Sequence, residues 1–323
     1  MIYYNVKTES YLADILARVG YGAEFYLHFE IELSKAESLI EKWSQRYNLN
    51  QSASLRNQRL NRGIWALDLV VLQNRTLFNE NRIKLCLLVT PAKLERFDFK
   101  SQNNVNHFER SKHASAVINE QYAKDLAQCE SFYSIHDRKK RLIFTSKHSY
   151  QPRTNQSDVQ PDPKTSVLSV YELVLLPYSI EERKKAIKGQ SAQNSAIYNK
   201  TMGFTWRLHK DYLDFKEKSL KKAFTKAQKI KGRKPSIPRS ELFPKLKQAL
   251  AKETDFLSKL AGFRGVRKQV FELNKTMFSL SHKFLDLPLS DVGVELRIPP
   301  YIWKQKRLVS SFEEMKEFHN IYK

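Results

Sequence analysis

The chain has 323 residues, 41% of them hydrophobic, and a formal net charge of +22, so it is long enough for two folded domains and strongly basic. Residues Arg183–Lys283 hold 26 Lys and Arg against 7 Asp and Glu, and the rest of the chain carries a net charge of only +3. This distribution excludes a chain that is basic throughout. It predicts one polyanion-binding part, with nucleic acid as the expected partner because neutralised phosphates release counterions.

The two cysteines and the lack of long apolar runs exclude several further classes. Neither Cys86 nor Cys129 has a CxxC partner, so we exclude zinc ribbons and disulfide scaffolds and expect a cytoplasmic setting. No apolar run approaches the roughly 18 residues that span a bilayer, and the N-terminal residues lack a signal-peptide pattern, so we expect no membrane partner. Walker A, GxGxxG, HExxH and GxSxG motifs are absent, which excludes the common nucleotide-binding and hydrolase classes.

The histidines and acidic residues do not predict a metal site. None of the eight histidines pairs at the i, i+4 spacing of a helical metal site, and the acidic residues do not cluster as in a two-metal nuclease. We therefore expect neither a metal nor another cofactor. His28, on the polar side of a predicted strand, is the candidate general base of a metal-independent ribonuclease, and an ordinary hydrogen-bonded role is the alternative.

The first third of the chain predicts an α+β unit. Phe25–Leu33 alternates apolar and polar residues, which is typical of a half-buried strand. Ser34 and Glu37 form the S-x-x-E pattern of a capping box and predict the start of a helix that ends near Tyr47. Strands are predicted at 64–72 and 83–89. This order is the opening of a βαββαβ unit, so we predict a ferredoxin-like (RRM-like) body with an antiparallel sheet.

The middle of the chain carries weaker signals. A helix is predicted within Glu109–Cys129 and a short strand at Arg141–Thr145. Gln151–Lys164 contains three prolines and predicts a loop. Val167–Leu176 predicts a strand that Pro177 ends.

The basic part predicts three amphipathic helices. The first is expected over Leu208–Ile230, followed by an exposed basic loop at Lys231–Arg239. The second carries inward-facing leucines at 242, 246, 250, 257 and 260. The third has apolar residues at spacings of 4, 3, 4, 3, 4, which favours burial of one seam: Val266, Val270, Leu273, Met277, Leu280 and Phe284.

These elements predict two domains. The α+β body covers residues 1–182, with 285–323 packing back on it through a strand at Val294–Ile298 and a helix at Ser311–Tyr322. The basic α-helical domain covers residues 183–284.

Two sets of cations in the body are candidates for contacts to a phosphate backbone. Arg56, Arg59 and Arg62 recur every three residues, which places their side chains on one side of a helical turn. Arg138–Arg141 form a four-residue basic turn. A solvated helix face and a charged hairpin tip are the respective alternatives.

A ferredoxin-like body joined to a late basic helical domain resembles the RNA-binding subunits of type I CRISPR Cascade complexes. The layout is most similar to the 5′-handle-binding subunit of a type I-F variant, whose added helical domain stands in for the large subunit and touches the PAM duplex. The glycine-rich loop of many such subunits has its closest counterpart here in Gly262–Gly265 (GFRG). The resemblance leaves a backbone subunit that polymerises along the guide as an open alternative.

The resemblance implies a non-catalytic antiviral-defence protein that binds guide RNA, target double-stranded DNA and other Cascade subunits, with cutting left to a separate nuclease. The body would grip the RNA handle and the helical domain would grip DNA near the PAM. The implied RNA-binding residues are Arg56, Arg59, Arg62, Arg138, Lys139, Lys140 and Arg141. The implied DNA-binding residues are Lys218, Lys221, Lys222, Lys231, Arg233, Lys234, Arg264, Arg267 and Lys268.

Two other functions fit the same residues. A metal-independent endoribonuclease would lose cleavage but keep binding in His28→Ala. A mobile-element protein that binds duplex DNA would use the basic helices without any RNA partner.

Overall fold

The computed structural model describes residues 1–92, 116–122, 124–125, 132–136, 142–145, 169–177, 202–233, 238–258, 260–302 and 308–321. The chain divides into a first unit, Met1–Leu142 with Lys304–Lys323, and a second unit, Ile143–Trp303. It is a mixed α+β protein, as predicted. Its elements are β1 Ile2–Asn5, α1 Thr8–Gly20, β2 Phe25–Glu32, α2 Leu33–Tyr47, α3 Ala53–Asn61, β3 Ala66–Leu72, α4 Arg75–Asn79, β4 Arg82–Thr90, β5 Phe132–Ser134, β6 Ile143–Thr145, β7 Ser169–Pro177, β8 Met202–Leu208, α5 Lys210–Arg233, α6 Arg239–Ser258, α7 Arg264–Leu285 and α8 Phe312–Ile321.

The first unit is built on a sheet with the strand order β1-β3-β4-β2-β5. β1 pairs parallel to β3, and the other neighbouring strands pair antiparallel. The predicted antiparallel pairing holds for the other four strands, but the sheet is mixed, because the unpredicted β1 is added parallel to β3 at one edge. β2 and β3 run in the same direction on either side of β4, and α2 and α3 make the connection between them.

Helices cover the sheet of the first unit on both faces. α2 and α8 pack on one face, where Ile40 and Met315 share a core with Leu69 and Leu85. α1 packs on the other face against β1, β3 and β4, with Tyr11 fully buried. Because both faces are covered, β3 is buried at every position and its sequence ALDLVVL shows no strict alternation.

The predicted capping box at Ser34 and Glu37 is wrong. α2 begins at Leu33, its N-cap is Glu32, and no side chain caps it. β2 passes directly into the helix, so Ser34 already lies in the first turn.

The second unit contains a three-stranded antiparallel sheet, β6-β7-β8, and three helices. α7 packs against β8 and α5, and α5 also packs against α6. The predicted seam of α7 is confirmed at five of its six positions, since Val266, Val270, Leu273, Met277 and Leu280 are buried and Phe284 is half-buried. Residue 208 ends β8 instead of starting a helix, because Leu208 pairs with Tyr171 of β7.

The division between the two units differs from the predicted domain boundaries. The predicted body includes β7, but β7 pairs with β8 and therefore belongs with the basic helices. Residues 294–298 form no strand and also lie in the second unit. α8 returns to the first unit, as predicted for the C-terminal helix. The helical residues 116–122 lie inside the predicted helix Glu109–Cys129, and the predicted loop at 151–164 lies outside the described residues.

Gly265 lies at a close approach of α7 to β8. A Cβ atom at this position would lie 2.6 Å from the carbonyl oxygen of Trp206, and backbone atoms cannot swing aside. We expect Gly265→Ala to lower the free energy of unfolding by about 1–3 kcal/mol in urea titrations. Gly232 in α5 is the matched control, because a Cβ there meets nothing within 4 Å and Gly232→Ala should be neutral or stabilising. Equal destabilisation by both substitutions would contradict this packing.

Candidate nucleic-acid interface

The exposed side of α5 carries a continuous row of lysines. Leu220, Phe224 and Ala227 are buried on the opposite side of the helix. Residues 218–233 contain no Asp or Glu, so no charge of opposite sign interrupts the row. We call this surface the lysine face, and its members are Lys218, Lys221, Lys222, Lys226 and Lys229, all exposed.

The lysine face has no internal charge compensation in the part of the chain that the structure describes. None of its five ammonium groups forms an ion pair there, whereas Lys35 lies 3.0 Å from Glu32 and Lys124 lies 2.8 Å from Glu120. Like charges held on one side of a helix repel each other, and a phosphate backbone relieves this repulsion. The lysine face is thus suited to bind a polyanion.

Two of the predicted DNA-binding arginines hold the second unit together. Arg264 donates hydrogen bonds to the carbonyl oxygens of Leu176 and Gly203, at 3.0 and 2.8 Å, and so ties α7 to the ends of β7 and β8. Arg267 donates to the carbonyl oxygen of Pro299, and its guanidinium lies 3.9 Å from the ring centroid of Tyr301. Both side chains are partly buried, so these contacts explain their positions without a ligand.

The remaining predicted DNA-binding residues lie in different places. Lys268 is exposed on α7. Lys231 is partly buried and donates to the carbonyl oxygen of Leu285, near the end of α7. α5 ends at Arg233. The side chain of Arg233 and all of Lys234 lie outside the described residues. The predicted basic loop at 231–239 is therefore helical as far as Arg233.

Arg56, a predicted RNA-binding residue, is buried in the first unit. Its Nε donates to Asp68 Oδ2 at 3.0 Å and its Nη2 donates to Thr90 Oγ1 at 2.9 Å. Arg56 is 5% exposed and Asp68 is 0% exposed. A guanidinium enclosed in this way cannot reach a phosphate, so its role is structural.

The arginine spacing predicted a shared side of α3, but not which side faces solvent. Arg59 also turns inward and donates from Nη2 to the Tyr122 hydroxyl at 2.8 Å. Arg62 lies at the C-cap of α3 and is the most exposed member of the set, since Arg59 is partly buried. The other predicted RNA-binding set, Arg138–Arg141, lies outside the described residues.

The outward side of α3 presents amides beside an open cavity of about 440 Å³. Tyr21 at its rim is 61% exposed, and the guanidinium of Arg18 lies 4.7 Å from the Tyr21 ring centroid. An aromatic ring and amide groups around a cavity of this size can stack on and hydrogen-bond to one nucleobase. This group has no counterpart among the predicted site residues. The lining residues are Tyr21, Gly22, Asn57, Leu60, Asn61, Thr90 and Pro91.

α1 lies on the face of the sheet that carries His28. The rings of Tyr11 and His28 have centroids 6.4 Å apart, and Tyr11 is fully buried. Nearby, the Lys84 ammonium lies 2.8 Å from Glu30, and burial lowers the pKa of Lys84 and raises the pKa of Tyr11. Tyr11 and Lys84 are buried in this setting and serve packing and ion pairing, whereas His28 and Glu30 are partly buried.

The described ranges offer neither a metal site nor a membrane-spanning helix. They contain no group of three or more His, Cys, Asp or Glu side chains that could hold a metal ion. In these ranges no helix is both long enough and apolar enough to cross a membrane. Burial raises the pKa of the Cys86 thiol, which keeps it protonated.

No protein-family model, no curated protein and no solved structure matches the chain.

Proposed function

We propose that this protein is a non-catalytic, nucleic-acid-binding subunit of an RNA-guided CRISPR surveillance complex of type I. The first unit holds the 5′ handle of the guide RNA, and the second unit grips target DNA near the PAM. The observation that carries the proposal is the lysine face of α5, where five exposed lysines have no acidic residue among them. Such a surface binds phosphate without reading sequence, which suits a protein that leaves recognition to base pairing.

The topology of the first unit supports the RNA-binding half of the proposal. The strand order β5-β2-β4-β3, with helical residues 116–122 between β4 and β5, is consistent with a ferredoxin-like βαββαβ unit. β1 and α1 are then an N-terminal addition. RRM-like proteins bind RNA on a sheet face that α1 covers here. The proposed RNA contacts are therefore the cavity beside α3 and the exposed Arg62.

The structure bears differently on the two alternative functions. His28 is partly buried beneath α1, which weighs against an endoribonuclease. The lysine face suits a mobile-element protein that binds duplex DNA equally well, since a phosphate grip does not depend on a guide.

Expression of the chain with its genomic neighbours tests the guide-subunit proposal. The complex is purified at moderate salt and the RNA that accompanies it is sequenced. We expect short RNAs of uniform length that share a repeat-derived 5′ end. Absence of any discrete RNA, together with duplex binding that falls steeply with salt, would overturn the proposal in favour of the mobile-element alternative.

A further inference from the structure

The exposed side of α7 carries aromatic rings where a helix surface usually carries polar side chains. Phe271 and Phe278 are 47% and 51% exposed, although the buried seam of the same helix takes up its other apolar residues. Two lysines and a histidine recur with these phenylalanines at spacings of 3, 4, 3 and 4, so all five side chains lie along one line of the helix. We call this line the aromatic stripe, and it comprises Lys268, Phe271, Lys275, Phe278 and His282.

Each ring of the aromatic stripe lies against a nitrogen-bearing side chain. The Lys275 ammonium lies 4.7 Å from the ring centroid of Phe271 and 3.3 Å from Glu272 in an exposed ion pair, from which a phosphate would have to displace it. The rings of Phe278 and His282 meet edge to face with centroids 4.7 Å apart. These neighbours flank the two phenyl rings at the surface, and the Lys275 ammonium places positive charge beside Phe271. Phe271 and Phe278 are two helical turns apart, or roughly 10 Å along the axis, so each ring has its own space.

We infer that the aromatic stripe binds unpaired nucleotides, with bases stacked on Phe271 and Phe278 and phosphates beside Lys268 and Lys275. Stacking on exposed aromatic rings between cations is the means by which proteins hold single strands of any sequence. A duplex keeps its bases stacked inside and offers these rings only its groove edges. A partner helix would need a continuous apolar line, which the alternating lysines interrupt.

The inference rests on the proposed function and deepens it. If the second unit grips a duplex through the lysine face of α5, a separate surface for unpaired bases would hold a strand that has left the duplex. The two surfaces differ in chemistry: the lysine face is a row of cations, whereas the aromatic stripe alternates rings and cations. They can therefore be tested separately.

Tryptophan substitution makes the stacking observable in the full-length chain. We expect the fluorescence of Phe278→Trp to be quenched when a 20-nucleotide oligo(dT), used as the probe, is added, because a stacked base quenches the indole. The native chain with its four tryptophans gives the background. A blunt duplex of about the same length, used at concentrations that saturate the lysine face, should leave the added tryptophan unquenched.

Affinity measurements on the double variant Phe271→Leu with Phe278→Leu give the second readout. Leucine keeps an apolar side chain but lacks a ring, so we expect oligo(dT) affinity to fall at least tenfold while duplex affinity stays within twofold. Phe215→Leu is the matched control, since Phe215 is 45% exposed on α5 and lies outside the stripe. Circular dichroism checks that each variant is folded.

The outcomes separate the two proposals. Unquenched Phe278→Trp with bound oligo(dT), or an equal loss of affinity in the Phe215→Leu control, would overturn the aromatic stripe and leave the lysine face standing. Self-association that buries the added tryptophan without nucleic acid would also overturn it. Failure of the native chain to bind any nucleic acid would overturn the proposed function, and the stripe with it.

Discussion

Replacement of Lys218, Lys222 and Lys229 by glutamine should weaken duplex DNA binding at least tenfold at about 0.1 M salt. All three are exposed on the lysine face, and glutamine keeps the helix propensity of the side chain while removing its charge. The plot of log affinity against log salt should also become shallower, by about 0.9 for each phosphate that the variant no longer neutralises. Fluorescence anisotropy with a labelled duplex over a series of salt concentrations measures both quantities.

The control for this experiment removes the same charge elsewhere. Lys35, Lys42 and Lys124 are exposed in the first unit, and their replacement by glutamine changes the net charge by the same amount. We expect less than about a threefold decrease in affinity and an unchanged salt slope. Equal decreases in both triple variants would mean that overall charge, and not the lysine face, binds DNA.

Asp68→Asn should lower the free energy of unfolding by about 3–5 kcal/mol. Asp68 is fully buried and accepts hydrogen bonds from Arg56 and from the amine of Met1, at 3.0 Å each. The neutral amide leaves the Arg56 guanidinium buried without a counter-charge, and an unpaired buried charge is costly. Urea unfolding followed by circular dichroism measures the decrease.

An exposed ion pair provides the comparison. Glu120 pairs with Lys124 at 2.8 Å with both side chains about two-thirds exposed, and Glu120→Gln should change stability by less than about 1 kcal/mol. The double variant Arg56→Met with Asp68→Leu should recover much of the stability, because it removes the buried guanidinium together with the carboxylate. The partly exposed Met1 amine loses Asp68 but keeps its hydrogen bond to the Leu67 carbonyl oxygen at 3.0 Å. A stable Arg56→Gln variant with weakened RNA binding would contradict the structural role of Arg56.

The sequence predicted those helices and strands in which the spacing of apolar residues matches the side that is buried. α7 shows the clearest agreement, because its apolar residues repeat at helical spacing and one side of it is buried. β1 was missed because Ile2–Asn5 has only four residues, and α1 was missed although its sequence carries a helical pattern. The helical spacing of Tyr11, Ile15 and Val19 was the signal that could have revealed α1.

The position of a candidate site residue could be predicted only where the local sequence pattern shows which side of its helix faces solvent. The apolar side of α5 is set by its own sequence, so the lysines opposite to it were placed correctly on the surface. The spacing of the arginines in α3 could not show that Arg56 points into the core, where it pairs with Asp68 of β3. Phe271 and Phe278 were missed because an aromatic residue in a helix usually belongs to the core.

Lysine reactivity gives the most direct test of the nucleic-acid interface. The native chain is acetylated at low reagent concentration with and without saturating duplex DNA, and each site is quantified by mass spectrometry. We expect DNA to protect Lys218, Lys222 and Lys229 and to leave Lys35 and Lys42 unchanged. Protection confined to the first unit, or no protection on α5 while DNA is bound, would contradict the assignment of the lysine face as the nucleic-acid grip.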